Sequence, residues 1–184
     1  MPSCPTASRP RPGTRRVNEI LSVDPKDVAG TAPLGRLLLA LNNAHARELS
    51  WLEPERLGHL VSSAFLARRI GNVDAFLLAF DQDARYDSPN FLWFRSRYAR
   101  FVYVDRIVVA PAARGRGLAR VLYDDLFAQA ARSGHDRVTC EVNSMPPNPA
   151  SDAFHAALGF SEVGTGVLDA SGKTVRYLER AVAA

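Results

Sequence analysis

The spacing of hydrophobic positions changes several times along the chain, and each change marks an element. Leu34, Leu37, Leu38 and Leu41 recur three and four apart, one face of a helix. Thr31 is an N-cap residue type ahead of them, and Pro33 suits a first helical turn. Leu57, Leu60 and Val61 repeat that spacing and predict a second short helix after Trp51. Strand signals follow. Residues 64–70 and 73–80 flank Gly71-Asn72, a pair suited to a two-residue hairpin turn. Residues 81–100 keep no period and read as a long polar and aromatic connection. Phe101 to Val109 is β-branched and aromatic throughout, the strongest strand signal, and Pro111 ends it. Leu118, Val121, Leu122 and Leu126 return to helical spacing in a helix that begins from Gly115. Residues 137–143 alternate as a strand and 151–158 form a short helix. Gly159-Phe160 leads into two closing strands near 160–169 and 174–181, joined by Ala170-Ser171-Gly172. A first strand is expected over 16–23. This order predicts an α/β (α+β) domain, a mixed and mostly antiparallel central sheet flanked by helices.

Composition narrows the picture. With 184 residues, 47% of them hydrophobic, the chain is sized for one domain. We place that domain at 16–184, after a Pro/Arg-rich tail over 1–15 that Pro2, Pro5, Pro10 and Pro12 keep from regular structure. No apolar run reaches transmembrane length, and the N-terminus lacks the apolar region of a secretory signal. Cys4 and Cys140 are far apart, and Cys140 alternates with Val138 and Val142 as a buried thiol would. His45, His59 and His135 are scattered, so no metal site is expected. These features predict a cytoplasmic protein without a membrane partner. Residues 1–16 account for the net charge of +4: Arg9, Arg11, Arg15 and Arg16 face no acid there, and the other 19 basic residues are matched by 19 acidic ones. Nucleic-acid recognition wants basic charge clustered on a folded face, so the charge does not predict a nucleic-acid partner.

The first chemical constellation is the strand Val104 to Val109, then Ala110-Pro111-Ala112-Ala113, then Arg114-Gly115-Arg116-Gly117-Leu118-Ala119. A strand runs into a glycine turn that opens a helix. Glycines admit a close ligand, and the first free N–H groups of the helix carry the positive end of its dipole. That geometry suits phosphate, and Arg114, Arg116 and Arg120 add charge. A dinucleotide fingerprint would need Gly or Ala where Arg120 stands, and a P-loop would need a lysine. The turn alone fits a phosphate site and a plain strand-to-helix turn with solvated arginines equally.

Arg-x-x-Gly-x-Ala at 114–119, after a strand ending Val-Val-x-Pro, resembles the acetyl-CoA signature of the GNAT superfamily of N-acetyltransferases. The run Asn148 to Phe160 resembles that family's second segment, Asn-x-x-Ala followed by Tyr-x-x-Leu-Gly-Phe, at the usual separation. The resemblance covers roughly residues 100–165. It implies a GNAT fold in which a splayed strand pair forms the acyl-CoA cleft. It implies pantetheine along Ile107, Val108 and Val109, with a β-bulge N–H near Val108 or Val109 polarising the thioester carbonyl. It places pyrophosphate on Arg114, Gly115, Arg116, Gly117, Leu118 and Ala119, with Arg120 and Asn148 also on the cofactor. The implied reaction moves an acetyl group from acetyl-CoA to a primary amine of a small molecule or protein by direct attack, and a homodimer is left open. Two rival classes fit the same residues: a non-catalytic CoA-binding regulatory module, and nucleic-acid binding through the basic tail.

Glu141 is the candidate base. Val138, Cys140 and Val142 face one way on their strand, and Thr139, Glu141 and Asn143 the other. Some family members carry a catalytic Glu at this point. The same carboxylate would also fit a solvated strand face or a substrate-positioning part, and Asp105 competes for the role. His155 stands where the family commonly has a Tyr near the CoA sulfur. It is the candidate acid, or a cofactor contact, or a packed helical histidine with Ser151 one turn before it. The loop Ser144 to Pro147 is about two residues longer than the family pattern. The family builds its acceptor site from elements that here hold Asn42, Asn43, Glu48 and Trp51, and from Phe91 to Tyr98. The latter segment fits equally as a flap packed on the sheet edge.

Overall fold

The computed structural model describes residues 19–168 and 172–182. The expected N-terminal tail with its arginines, the start of the 16–23 strand, and Ala170-Ser171 of the last turn lie outside them. Among the described residues, seven strands form one sheet: β1 (Ile20–Ser22), β2 (Leu66–Ile70), β3 (Ala75–Asp81), β4 (Val102–Val109), β5 (Arg137–Met145), β6 (Ser161–Val167) and β7 (Thr174–Ala181). Their order is β1-β2-β3-β4-β5-β7-β6. Every neighbouring pair is antiparallel except β4 and β5. A parallel pair needs a long crossover, and helix α5 (Leu118–Arg132) supplies it.

The sheet is covered on both faces, as strand alternation requires. Phe76, Leu78, Phe80, Phe101 and Tyr103 point to one face. There they meet α1 (Pro25–Val28), α2 (Pro33–Asn43), α3 (Pro54–Ser63) and α4 (Pro89–Arg95) through Val28, Leu38, Leu57, Leu60, Phe91 and Phe94. Leu77, Val102, Val104, Val138, Cys140 and Val142 point to the other face, against Leu118, Leu122 and Leu126 of α5. Helix α6 (Pro149–Ala157) lies on that second side, with Leu158 beyond its end in the same cluster.

The alternation of β4 flips once. Leu78 pairs with Arg106 but Ala79 pairs with Val104, so Asp105 is an extra residue, a β-bulge. Before it, odd positions face α2–α4. After it, Val108 faces that side while Ile107 and Val109 pack with the α5 cluster.

Several boundaries differ from the sequence expectation. Helix α2 is capped at Ala32 rather than Thr31, whose carbonyl instead accepts from Arg36 Nη1 at 2.6 Å. The β2–β3 hairpin is present, but its turn spans Gly71 to Asp74, with Val73 at φ 68. The connection 81–100 holds α4, a helix too short to show a period. Strand β5 extends to Met145, and Ser144 bonds Thr174 of β7 at 2.7 Å, so part of the expected loop is strand.

Candidate functional site

Strands β4 and β5 pair at Val102↔Val138 and Tyr103↔Thr139 and then part. Beyond that point β5 stays paired with β7 and β4 with β3. The opening between them is a cleft of about 510 Å³. One edge of β4 is thus left unpaired inside the molecule, a row of backbone donors and acceptors for an extended, amide-bearing ligand. Ile107, Val108 and Val109 line the cleft, as expected. The irregularity of β4 does not lie where it was expected. It is at Asp105, because the register breaks between Leu78 and Ala79, and Val108 and Val109 stand in regular strand.

After β4, Pro111–Ala113 forms a single 3-10 turn, and Gly117 caps α5. Gly115 and Gly117 have φ of 74° and 73°, a region costly to side chains, and a Cβ on either would meet nothing within 4 Å. The space in front of the helix start is therefore open. Arg114 lines the cleft. Arg116 pairs with Asp74 at 3.1 Å, and Arg120 Nη2 donates to the Ala157 carbonyl at 3.3 Å, tying α5 to α6. The Leu118 side chain is core, which leaves its backbone N–H for a ligand, and Ala119 follows it in the first turn of α5. Asn148 lines the cleft and caps α6, its Oδ1 accepting from the Ser151 N–H at 3.2 Å.

Glu141 projects from β5 toward the α4 side. Tyr103 O–H donates to one carboxylate oxygen at 2.7 Å, and Asn90 Nδ2 to the other at 2.9 Å. Tyr177 O–H donates to Asn90 Oδ1 at 3.2 Å, so the amide is itself fixed. Burial pushes the Glu141 carboxyl up to about 7; the bond from Tyr103 pulls it down, and nearby Asp105 adds to the rise. Sequence reasoning missed Asn90, Tyr103 and Tyr177. Tyr103 shares the face of Glu141 in the parallel register, a relation visible only once the strands are paired.

The competing carboxylate, Asp105, is engaged. It accepts from Tyr86 O–H at 2.5 Å and lies 2.8 Å from Arg106 Nε, though that second contact lacks hydrogen-bond alignment. Arg106 is buried and donates to Asn42 Oδ1 at 2.7 Å. Asn42 thus serves this pair, and Asn43 holds the Leu52 backbone. Trp51 is exposed and bonds Glu53, whereas Glu48 lines the cleft. Phe91 and Phe94 are fully buried and Trp93 stacks on Tyr177 at 4.1 Å, so 91–98 packs on the sheet.

His155 is buried, and both ring nitrogens are occupied. Nδ1 lies 2.8 Å from the Ser151 carbonyl, and Nε2 lies 2.8 Å from the Tyr123 hydroxyl. Burial lowers its pKa, which disfavours the imidazolium that an acid would need. No group of three or more His, Cys, Asp or Glu side chains suited to a metal occurs among the described residues. No described helix is long and apolar enough to cross a membrane.

This geometry agrees with comparisons to known proteins. The family model described as "Acetyltransferase (GNAT) family" matches residues 36–160. A stretch of 59 residues is 41% identical to a phosphinothricin N-acetyltransferase of Streptomyces coelicolor. It covers 32% of this chain and 33% of that one, so the match spans about a third of the curated relative. Among solved structures, the ribosomal-protein-S18-alanine N-acetyltransferase from Escherichia coli aligns with a TM-score of 0.64 at 16% identity, over 90% of this chain and 94% of that one. The putative acetyltransferase yncA from Salmonella typhimurium, solved with its cofactor acetyl-CoA, gives the same TM-score and coverages at 18% identity. At such identities these two speak for the fold. The family model spans well over half of the chain and includes the parted strands and the glycine turn, so this chain belongs to the GNAT family of acetyltransferases.

Proposed function

We propose that this chain moves an acetyl group from acetyl-CoA to a primary amine by direct attack in a ternary complex, with Glu141 receiving the amine's proton. The observation that carries this reading is a carboxyl group set in the wall of the cleft, held by Asn90 and Tyr103 and raised to about 7. An alkyl amine of pKa ~10.4 is almost wholly protonated at neutral pH, at a cost of roughly 4–5 kcal/mol for the reactive form. A base poised near the working pH suits that task.

The residues present fit acetyl-CoA. The open space before Gly115 and Gly117, the free N–H groups at the start of α5 and Arg114 would hold the pyrophosphate. Arg116, Leu118 and Ala119 belong to the same turn, Arg120 braces it against α6, and Asn148 stands across the cleft. The unpaired edge of β4 at Ile107, Val108 and Val109 would bond the pantetheine amides. The acceptor is an amine of a small molecule or a protein.

The test is a panel of amines incubated with acetyl-CoA, reading free CoA release and the acetylated product by mass spectrometry. Release with a defined subset of amines is expected. Acetyl-CoA binding without release for any amine would overturn the reading and leave a CoA-binding regulatory module.

A further inference from the structure

Tyr123 lies in the second turn of α5, the helix that starts at the glycine turn. Its side chain is fully buried among the residues of that face, yet it forms part of the cleft wall. Its hydroxyl meets Nε2 of His155 at 2.8 Å. The other ring nitrogen, Nδ1, lies 2.8 Å from the Ser151 carbonyl oxygen, which can only accept. Nδ1 therefore carries the imidazole proton and Nε2 is bare. The Tyr123 O–H must donate to Nε2. So His155, at the position where the family resemblance sought an acid, has no proton to present to the cleft. Tyr123 has one.

The two groups of the cleft sit on opposite faces of the sheet. Glu141 points to the α4 side, where Asn90 holds it. Tyr123 and His155 belong to the α5 and α6 side, the side of the phosphate turn. A thioester that spanned the opening with its carbonyl toward Glu141 would have its sulfur on the α5 side, beside Tyr123.

We propose that Tyr123 donates the hydrogen bond that holds the departing CoA sulfur, and that His155 Nε2 accepts that bond until the sulfur takes it. The assignment rests on acetyl-CoA being the acyl donor. The amine nitrogen attacks the carbonyl carbon, a C–N bond forms, and the surplus proton passes to Glu141. The C–S bond breaks and its electron pair stays on sulfur. A thiolate, being charged, is a stronger acceptor than a neutral imidazole nitrogen. The Tyr123 O–H turns from Nε2 to the sulfur. Burial keeps the phenol proton on oxygen, so Tyr123 acts as a donor and does not ionise. CoA departs as the thiolate and takes its proton from water, and Glu141 returns its own to solvent.

The test needs no acceptor amine. CoA labelled with 13C at the carbon bonded to sulfur is bound to the protein, and its thiol is titrated by NMR. The bound thiol is expected to be more acidic than that of free CoA by roughly tenfold or more, the scale of one hydrogen bond to a charged acceptor. Tyr123→Phe keeps the ring volume and so the packing, and should abolish that gain. His155→Phe should keep it, because the hydroxyl is then free to face the sulfur. Equal acidity in wild type and Tyr123→Phe overturns the proposal. Loss of the gain in His155→Phe with Tyr123 in place also overturns it, by making His155 the donor. Failure of wild type to bind labelled CoA would instead remove the cofactor site itself.

Discussion

Glu141 is held by two neutral donors, Tyr103 and Asn90, which steady the carboxylate without the full pull of a cation. Burial therefore wins, and the group titrates near 7 when folded against an ordinary 4.5. Two consequences follow at this residue. As a base it works only when ionised, so kcat should rise with pH through about 7. Glu141→Gln should lower kcat by roughly 10²–10⁴-fold, with much of the loss recovered at high pH as the amine deprotonates unaided. Stability runs the other way. Between pH 4.5 and 7 the folded chain holds a proton that the unfolded chain has lost, so the contribution of Glu141 is fully present below 4.5 and is lost as pH rises through 7. Glu141→Gln should match wild type near pH 4.5 and exceed it by up to about 3 kcal/mol above pH 7, read by denaturant melts at both pH values. A variant with wild-type kcat at every pH would remove Glu141 from the reaction. The residue was legible in the sequence because strand alternation sets it opposite Val138, Cys140 and Val142. Its holder, Asn90, was not, because that contact joins residues 51 positions apart across a helix with no period of its own.

Helix α4 shows what an element needs when its own sequence is too short to form it. Seven residues cannot hold a helix in water. Packing does it instead: Phe91 and Phe94 fill the core, Trp93 stacks on Tyr177 of β7, and Arg97 lies over the Trp93 ring at 3.9 Å. Strand β6 leaves room for this stack at a glycine. A Cβ at Gly164 would sit 2.7 Å from Cζ2 of Trp93. Gly164→Ala should push the indole outward, carry α4 with it and draw Asn90 away from Glu141. The expected cost is roughly 1–3 kcal/mol in stability, together with a lower kcat. Acetyl-CoA affinity should hold, because β4 and the start of α5 lie elsewhere. Calorimetric binding beside steady-state kinetics checks this, and an unchanged kcat would show that α4 does not set the carboxylate. The mixture of aromatics and arginines in 91–98 allowed both a substrate-binding segment and a packed flap. The ring stacking shows the packing, and no local pattern encodes it. The long elements were legible for the opposite reason: β4 is β-branched and aromatic throughout, and α5 carries a helical period that survives without tertiary help.

At the scale of the molecule, one sheet is covered on both faces and opened at a single seam. The seam can open because β4 and β5 share only two residue pairs, while each keeps an antiparallel partner on its far side. Helix α5 bridges the two strands, with Leu118, Leu122 and Leu126 packed across Val102, Val104, Val138 and Cys140. The glycine turn thus couples the seam to the rest of the core, and a cofactor bound there should stabilise the whole fold. At ~100 times its dissociation constant, acetyl-CoA should add about 2.7 kcal/mol. For a chain of this size that is a rise in Tm of roughly 5–10 °C. Gly117 locates the effect. Its φ of 73° disfavours any side chain, so Gly117→Ala should lower the Tm of the free protein, and Gly117→Asp should lower it less because a carboxylate suits the helix start. They should differ in the response to acetyl-CoA. A methyl group meets nothing within 4 Å, and much of the shift should remain. A carboxylate puts negative charge before the free N–H groups where phosphate must approach, and the shift should vanish. An undiminished shift in Gly117→Asp would move the cofactor away from this turn, and the whole assignment of the seam with it.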